Sequence, residues 1–236
     1  VILNCDADIL PGLAPHAQEL SAHAGEPPAP RIPLTRDQLA DLARARAGRA
    51  AGPVRVVYGY YPCHAEGDTL VVLDPENRRQ ALARLAFPRQ EGERFLCLAD
   101  YFRPEPGTDL VAFQVVTVGA EGSRLAEEWN RSGEYARSLY LHGLSVETAE
   151  ALASFWHRRI RRELGLGDDQ GKRYSPGYPA WPSLEDQRAL WRLLEPDRTI
   201  GVALTSADQM DPEASTSAVV LHHPDAVYYT VRGQGS

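Results

Sequence analysis

Residues 171–182 (GKRYSPGYPAWP) are the part of this chain whose residue types and spacing suit chemistry. Three prolines and two glycines there exclude a regular helix or a central strand, because proline fixes φ and removes a donor. Aromatic rings and a single arginine, Arg173, sit in this stiff backbone. Two readings follow. One is a rigid surface loop that packs Tyr178 or Trp181 on the core. The other is a pre-shaped cradle whose backbone groups face a small molecule.

The usual catalytic constellations are missing elsewhere. No GxGxxG lies between a strand and a helix, and no GxxxxGK[ST], GxSxG, HExxH or CxxC occurs. Gly165 and Gly167 follow a helical pattern and read as its stop. Cys63–His64 and His222–His223 are adjacent pairs, and neighbours on a strand point to opposite faces, so no metal site is expected. His142 and His157 read as ordinary turn and helix residues. Arg158, Arg159, Arg161 and Arg162 read as a solvated helix face near a C-terminal end, where the helix dipole favours cations.

The elements that must position the 171–182 segment follow from pattern. Residues 23–33 carry four prolines and one glycine and read as an extended linker. Thr35 and Gln38 form a capping box that predicts a helix over 36–50. Residues 54–61 (VRVVYGYY) and 69–73 (TLVVL), joined by a turn at 65–68, predict a hairpin. A short helix is expected over 77–87, strands over 94–101 and 110–118, and a helix over 125–141. Ser145 is the expected N-cap of a longer helix reaching Leu164, with Ala149, Leu152, Ala153, Trp156 and Ile160 on its apolar face. Ser183 and Asp186 predict a helix through Leu194, stopped by Pro196. Strands are expected over 199–204, 217–221 and 227–231. Strands and helices do not alternate as βαβ units, which predicts an α+β fold with a largely antiparallel sheet.

With 32 acidic and 25 basic residues the formal charge is −7, which gives no reason to expect nucleic-acid binding. No apolar run approaches the roughly 18–20 residues of a membrane span, and the N-terminus lacks the pattern of a signal peptide. Three cysteines without close pairing suit a reducing, cytoplasmic setting. The missing initiator Met is what a piece of a longer chain would show.

The RxxxGYPAxP pattern at 173–182 resembles the S-adenosylmethionine-binding loop in the C-terminal activation domain of cobalamin-dependent methionine synthase. The similarity continues through 184–205, through MxPxASxS at 210–217 and through HPDAVYY at 223–229. Upstream, 59–73, 97–105 (CLADYFRPE) and 141–164 also resemble that domain. The resemblance covers roughly 36–232 in the family's order. It implies a curved, mostly antiparallel sheet flanked by helices, unlike the Rossmann methyltransferases. The domain organisation expected is an N-terminal segment and Pro-rich linker over 1–34, then an S-adenosylmethionine-binding activation domain over 35–236.

The resemblance also implies the chemistry. S-adenosylmethionine supplies a methyl group during reductive remethylation of cob(II)alamin, with cobalamin carried by a partner domain and the electron coming from a flavodoxin-like donor. No side-chain nucleophile or base is needed, because the sulfonium is already activated and the chain only places the methyl. By motif match, Arg173 holds the methionyl carboxylate, which a guanidinium grips bidentately. Tyr228 and Tyr229 match paired ligand-contacting tyrosines, one facing the ligand and one the core if they lie on a strand. Pro176, Gly177, Tyr178 and Ala180 complete the loop, and Glu150 matches an acidic helix position. The chain departs from the family pattern at Trp181, where a smaller residue is usual and where the added bulk is expected to crowd or reshape the pocket. It also has Thr205–Ser206 in place of a threonine–glutamate pair and Val146 in place of an acid. A non-catalytic S-adenosylmethionine sensor or corrinoid-protein docking module is the alternative reading.

Overall fold

A computed structural model describes residues 54–92, 94–167 and 170–231. The helix expected over 36–50 and the linker before it lie outside the described residues. Eight strands and four α-helices follow in chain order: β1 (Arg55–Glu66), β2 (Thr69–Leu73), β3 (Ala81–Ala86), β4 (Asp109–Thr117), α1 (Glu121–Arg131), α2 (Tyr135–Glu163), β5 (Lys172–Tyr174), α3 (Gln187–Leu194), α4 (Pro196–Thr199), β6 (Ala203–Leu204), β7 (Met210–Asp211) and β8 (Ser215–Leu221). Six strands form one sheet in the order β3-β2-β1-β4-β8-β5, every neighbouring pair antiparallel. The α+β, largely antiparallel architecture expected from the sequence is what is found.

The central strands are buried on both faces. On β4, Val111, Phe113 and Val115 face one side with Val57, Val219, Leu221 and the α3 residues Ala189, Leu190 and Leu194. Ala112 and Val116 face the other, with Val56, Tyr58, Val220 and the α2 residues Leu152, Ala153, Trp156 and Ile160. This explains why these strands read as continuous apolar runs. Of the α2 residues predicted to form one apolar face, Leu152, Ala153, Trp156 and Ile160 line this second core, while Ala149 is buried outside it. Gln114, fully buried among them, donates from its amide to the Ala153 carbonyl at 3.2 Å.

Several local expectations are corrected. Residues 81–86 (ALARLA) form a strand, not a helix. Only Ala83 and Leu85 are buried, so a two-residue period and pairing with β2 override good helix-forming composition. The strand expected over 94–101 is a loop ending in a 3-10 turn at Leu98–Tyr101, fixed by Asp100 accepting the Cys97 amide at 3.1 Å. The helix expected over 125–141 breaks at Gly133, whose φ of +84° ends α1. Ser145 is not a cap. It lies inside α2 and its hydroxyl donates to the Leu141 carbonyl at 2.9 Å. Ser145 instead marks close helix packing, since a Cβ on Gly122 of α1 would lie 2.5 Å from its Oγ. Residues 196–199 are helical, so β6 holds only Ala203–Leu204, and 227–231 forms no strand.

β5 occupies a sheet edge, pairing Lys172, Arg173 and Tyr174 with Leu221, Val220 and Val219. Proline-rich sequence follows at once, and an edge tolerates that where a central strand would not. At the same end of the β4–β8 ladder, just past Leu221, His222 Nε2 lies 2.6 Å from Asp109 Oδ1, and Asp109 also accepts the Arg103 and Leu110 amides at 2.8 Å each.

Gly171 enters β5 with φ +81°, and a Cβ there would sit 2.1 Å from the Leu221 carbonyl oxygen. Gly171→Ala is therefore expected to lower unfolding free energy by on the order of 2–4 kcal/mol in urea titration. Gly67→Ala, also at positive φ but with nothing within 4 Å, should lose only about 1 kcal/mol. Equal losses would mean that backbone conformation, not contact with β8, sets the requirement.

The His222–Asp109 pair makes stability depend on pH. The Asp109 hydrogen bond raises the His222 pKa above 6.5, outweighing burial. Its contribution is therefore full below 6.5 and lost as pH rises through the raised folded value. Burial pushes Asp109 up, but its hydrogen bonds from His222, Arg103 and Leu110 outweigh this and leave it below 3.8, so its share is lost only as pH falls through that lowered value. Unfolding free energy from this pair should be full below pH 6.5 and drop as pH rises through the raised His222 value, and Asp109→Asn should flatten that drop. An unchanged slope in the variant would exclude the pair as its source.

Candidate functional site

β5 sets the site by its pleat. Successive side chains point to opposite faces, and Arg173 goes toward α2 while Tyr174 goes into the core beneath α3. Arg173 Nη2 donates to Glu150 Oε2 at 2.6 Å and lies 3.5 Å from Ser154 Oγ. Glu150 and Ser154 are four residues apart on α2, so they share one helix face. The Arg173 side chain is 13% exposed and that of Glu150 31%, which makes the pair half-buried at the open edge of the sheet. Two of the expected site residues thus meet directly.

Tyr174 anchors the segment that runs beside this edge. Its hydroxyl donates to the Val227 carbonyl at 2.7 Å, while the Val227 amide donates to the Tyr101 hydroxyl at 3.4 Å. Val227 is thereby held on both sides without a strand partner. The Tyr228 ring packs against Tyr174, with centroids 5.4 Å apart, and is largely exposed at 61%. Its phenol lies beside the Arg173 main chain and within the fields of Arg173 and Glu150. Tyr229 turns the other way. It packs on the core, and its hydroxyl is buried without a hydrogen-bond partner among the described residues. Burial raises its pKa, with Cys97, Tyr101 and Asp100 adding to the rise. One tyrosine faces out and one packs on the core, on a segment that forms no strand.

The loop after β5 closes on itself. Tyr178 donates its amide to Ser175 at 3.3 Å, Trp181 to Tyr178 at 2.8 Å, and Gly177 to Trp181 at 2.8 Å. The Val231 amide donates to Pro179 at 3.0 Å, tying the loop to the Tyr228–Tyr229 segment. Pro176 and Ala180 are buried, whereas Gly177 and Tyr178 are exposed. The packing reading of this loop holds in part: Trp181 packs on the core and Tyr178 does not.

Trp181 does not enter the Arg173 side of the sheet. It is fully buried in the opposite core, edge-on to Phe87 at 5.1 Å, and its indole N–H donates to Asp186 at 2.7 Å. Asp186, expected as part of a helix start, makes no side-chain cap to α3. Crowding of a pocket beside Arg173 by the Trp181 ring does not occur.

Sequence reasoning missed Ser154 and Tyr174. Ser154 was findable as the residue one helical turn after Glu150, and Tyr174 as the pleat-opposite neighbour of Arg173. Among the described residues no group of three or more His, Cys, Asp or Glu is placed to hold a metal, and no helix is long and apolar enough to cross a membrane. A groove of about 350 Å³ between α1, the start of α2 and Glu213 contains none of the expected site residues.

Residues 37–234 match the family described as vitamin B12 dependent methionine synthase, activation domain. The chain is 42% identical over 202 residues to methionine synthase of Mycobacterium tuberculosis (strain ATCC 25618 / H37Rv), covering 75% of this chain. It is 40% identical over the same length to methionine synthase of Mycobacterium leprae (strain TN). The chain spans only 17% of the length of each of these relatives. A crystal structure of the MetH reactivation domain bound to AdoHcy superposes with TM-score 0.81 and 27% identity, covering 98% of this chain and 81% of that one.

Replacing Trp181 tests its place in the core. Trp181→Ala is expected to cost about 3–5 kcal/mol of unfolding free energy in denaturant titration, as for large aromatic truncations. A loss under about 1 kcal/mol would show that the ring is not packed as described.

Proposed function

The chain belongs to the vitamin B12 dependent methionine synthase activation-domain family, and from that premise we propose that it binds S-adenosylmethionine and presents its methyl group for reductive remethylation of cobalamin. The observation that carries this reading is the Arg173–Glu150 pair at 2.6 Å, set at an open sheet edge beside the exposed Tyr228 ring. An amino-acid head group bears a carboxylate and an ammonium side by side. Arg173 complements the first through a bidentate guanidinium, and Glu150 complements the second.

The rest of the site suits the remainder of the ligand. The Tyr228 face offers a cation–π contact to a sulfonium, of order 0.5–2 kcal/mol. The outward backbone of Gly177 and Tyr178, stiffened by Pro176 and the bonds to Trp181, provides a pre-ordered wall for the adenosyl group, with Ala180 filling the floor. When bound, the sulfonium supplies an activated methyl donor. The chain's own residues then bind, orient and shield it.

On this reading the working unit is a domain over 35–236, with 1–34 as a preceding linker. Its partners are a cobalamin-binding domain that brings the methyl acceptor and a flavodoxin-like electron donor, and its setting is the cytoplasm. The AdoHcy held by the related reactivation domain is the product expected after methyl transfer.

Isothermal titration should show S-adenosylmethionine binding to wild type and at least about tenfold weaker binding to Arg173→Ala, since a lost charge-assisted bond is worth one to two powers of ten. Joined to a cobalamin-binding domain and a reductant, the wild-type chain should support methylation of the corrinoid. No binding by folded wild type would sink the proposal. Tight binding without transfer would leave the sensor reading in its place.

A further inference from the structure

His157 lies on the α2 stripe that carries Glu150 and Ser154, three residues past Ser154. It is 8% exposed, and its Nε2 is buried with no hydrogen-bond partner among the described residues. A buried ring nitrogen in that state has given up water without recompense, and such atoms are rare in native proteins. Packing alone does not call for an imidazole there. Its neighbours along the helix, Ala153, Trp156 and Ile160, form an apolar core that a leucine would extend.

The charges around the ring indicate what it faces. Arg158 and Arg161 come from α2, and Lys172 and Arg173 from β5. Burial first, and then the fields of Arg161, Arg173, Lys172 and Arg158, press the His157 pKa down to about 3, so the ring is neutral at physiological pH. A carboxylate at this position would cancel the surrounding positive field, and a lysine would add to it. A neutral imidazole does neither. It keeps the field available to an incoming anion and offers that anion one N–H.

We propose that His157 is a second carboxylate-binding residue of the site, its Nε2–H donating to one oxygen of the adenosyl amino acid carboxylate that Arg173 holds. This rests on the ligand reading above and adds a specificity to it. The His157–Arg173 end selects ligands that keep the amino-acid carboxylate, while Glu150 faces the ammonium and Ser154 lies between the two.

The test uses two probes, S-adenosylmethionine and 5′-methylthioadenosine, which keeps the adenosyl thioether and lacks the amino acid. In calorimetric titration His157→Phe should weaken S-adenosylmethionine binding by about tenfold and leave methylthioadenosine affinity within about twofold. His157→Gln, which retains a donor, should recover part of the loss. Equal losses for both probes, or none, would overturn the assignment.

Nitrogen NMR of the wild-type ring provides a measurement that needs no variant. The His157 Nε2 signal should shift on adding S-adenosylmethionine and stay in place with methylthioadenosine, and an unmoved signal with both overturns the assignment even if His157→Phe fails to fold. A folded wild type that does not bind S-adenosylmethionine overturns the ligand reading as well. Wild-type binding with indifferent His157 variants overturns this assignment alone.

Discussion

Three residues of edge strand govern the site. β5 is only Lys172–Tyr174, yet its pleat sends Arg173 toward α2 and Tyr174 into the core below. Everything that surrounds the candidate ligand position depends on that alternation. A one-residue slip would put the guanidinium into the apolar core and the phenol against Glu150. Register is held at the entrance by Gly171, where the Leu221 carbonyl leaves no room for a side chain. It is held at the exit by Pro176 and the closed hydrogen bonds of the following loop.

The two cores divide the work. The α2 core places Glu150 and Ser154 at a fixed height above the sheet, because Leu152, Ala153, Trp156 and Ile160 seat the helix on β1, β4 and β8. The opposite core holds the loop from beneath through Trp181 and Ala180, and it holds the 227–231 segment through Tyr101 and Tyr174. A site on irregular backbone is thus braced by side chains reaching across from rigid elements. Removing one of those braces loosens the site without touching any group that faces it.

The β1–β2 hairpin, the apolar strand at 109–117 and the apolar face of α2 were legible because period and turn chemistry agree with burial there. Residues 81–86 were not, because their composition favours helix while the alternation of Ala83 and Leu85 favours strand, and tertiary pairing decides. Ser145 has cap chemistry but sits mid-helix, since nothing between Leu141 and Ser145 stops α2. For the site, motif resemblance picked out Arg173, Glu150 and Tyr228, which the fold places close together. It also singled out Trp181 as an intruder, because a loop sequence does not say which side of the sheet an anchor faces.

The charge state of the site bears on selectivity. Arg173 and Glu150 satisfy each other at 2.6 Å in a half-buried setting. A ligand carrying only an anion would take Arg173 and leave a partly desolvated carboxylate unpaired, and one carrying only a cation would do the reverse. A zwitterion occupies both partners, so one internal ion pair is exchanged for two across the interface and no charge is stranded. On the proposed ligand reading, the unpaired partner, more than any attraction, would discriminate between ligands, since stranding a buried charge costs far more than an exposed pair contributes. The same logic disfavours a further acid beside Arg173, which would compete for the guanidinium. A neutral His157 within the Arg158, Arg161, Lys172 and Arg173 fields is compatible with it.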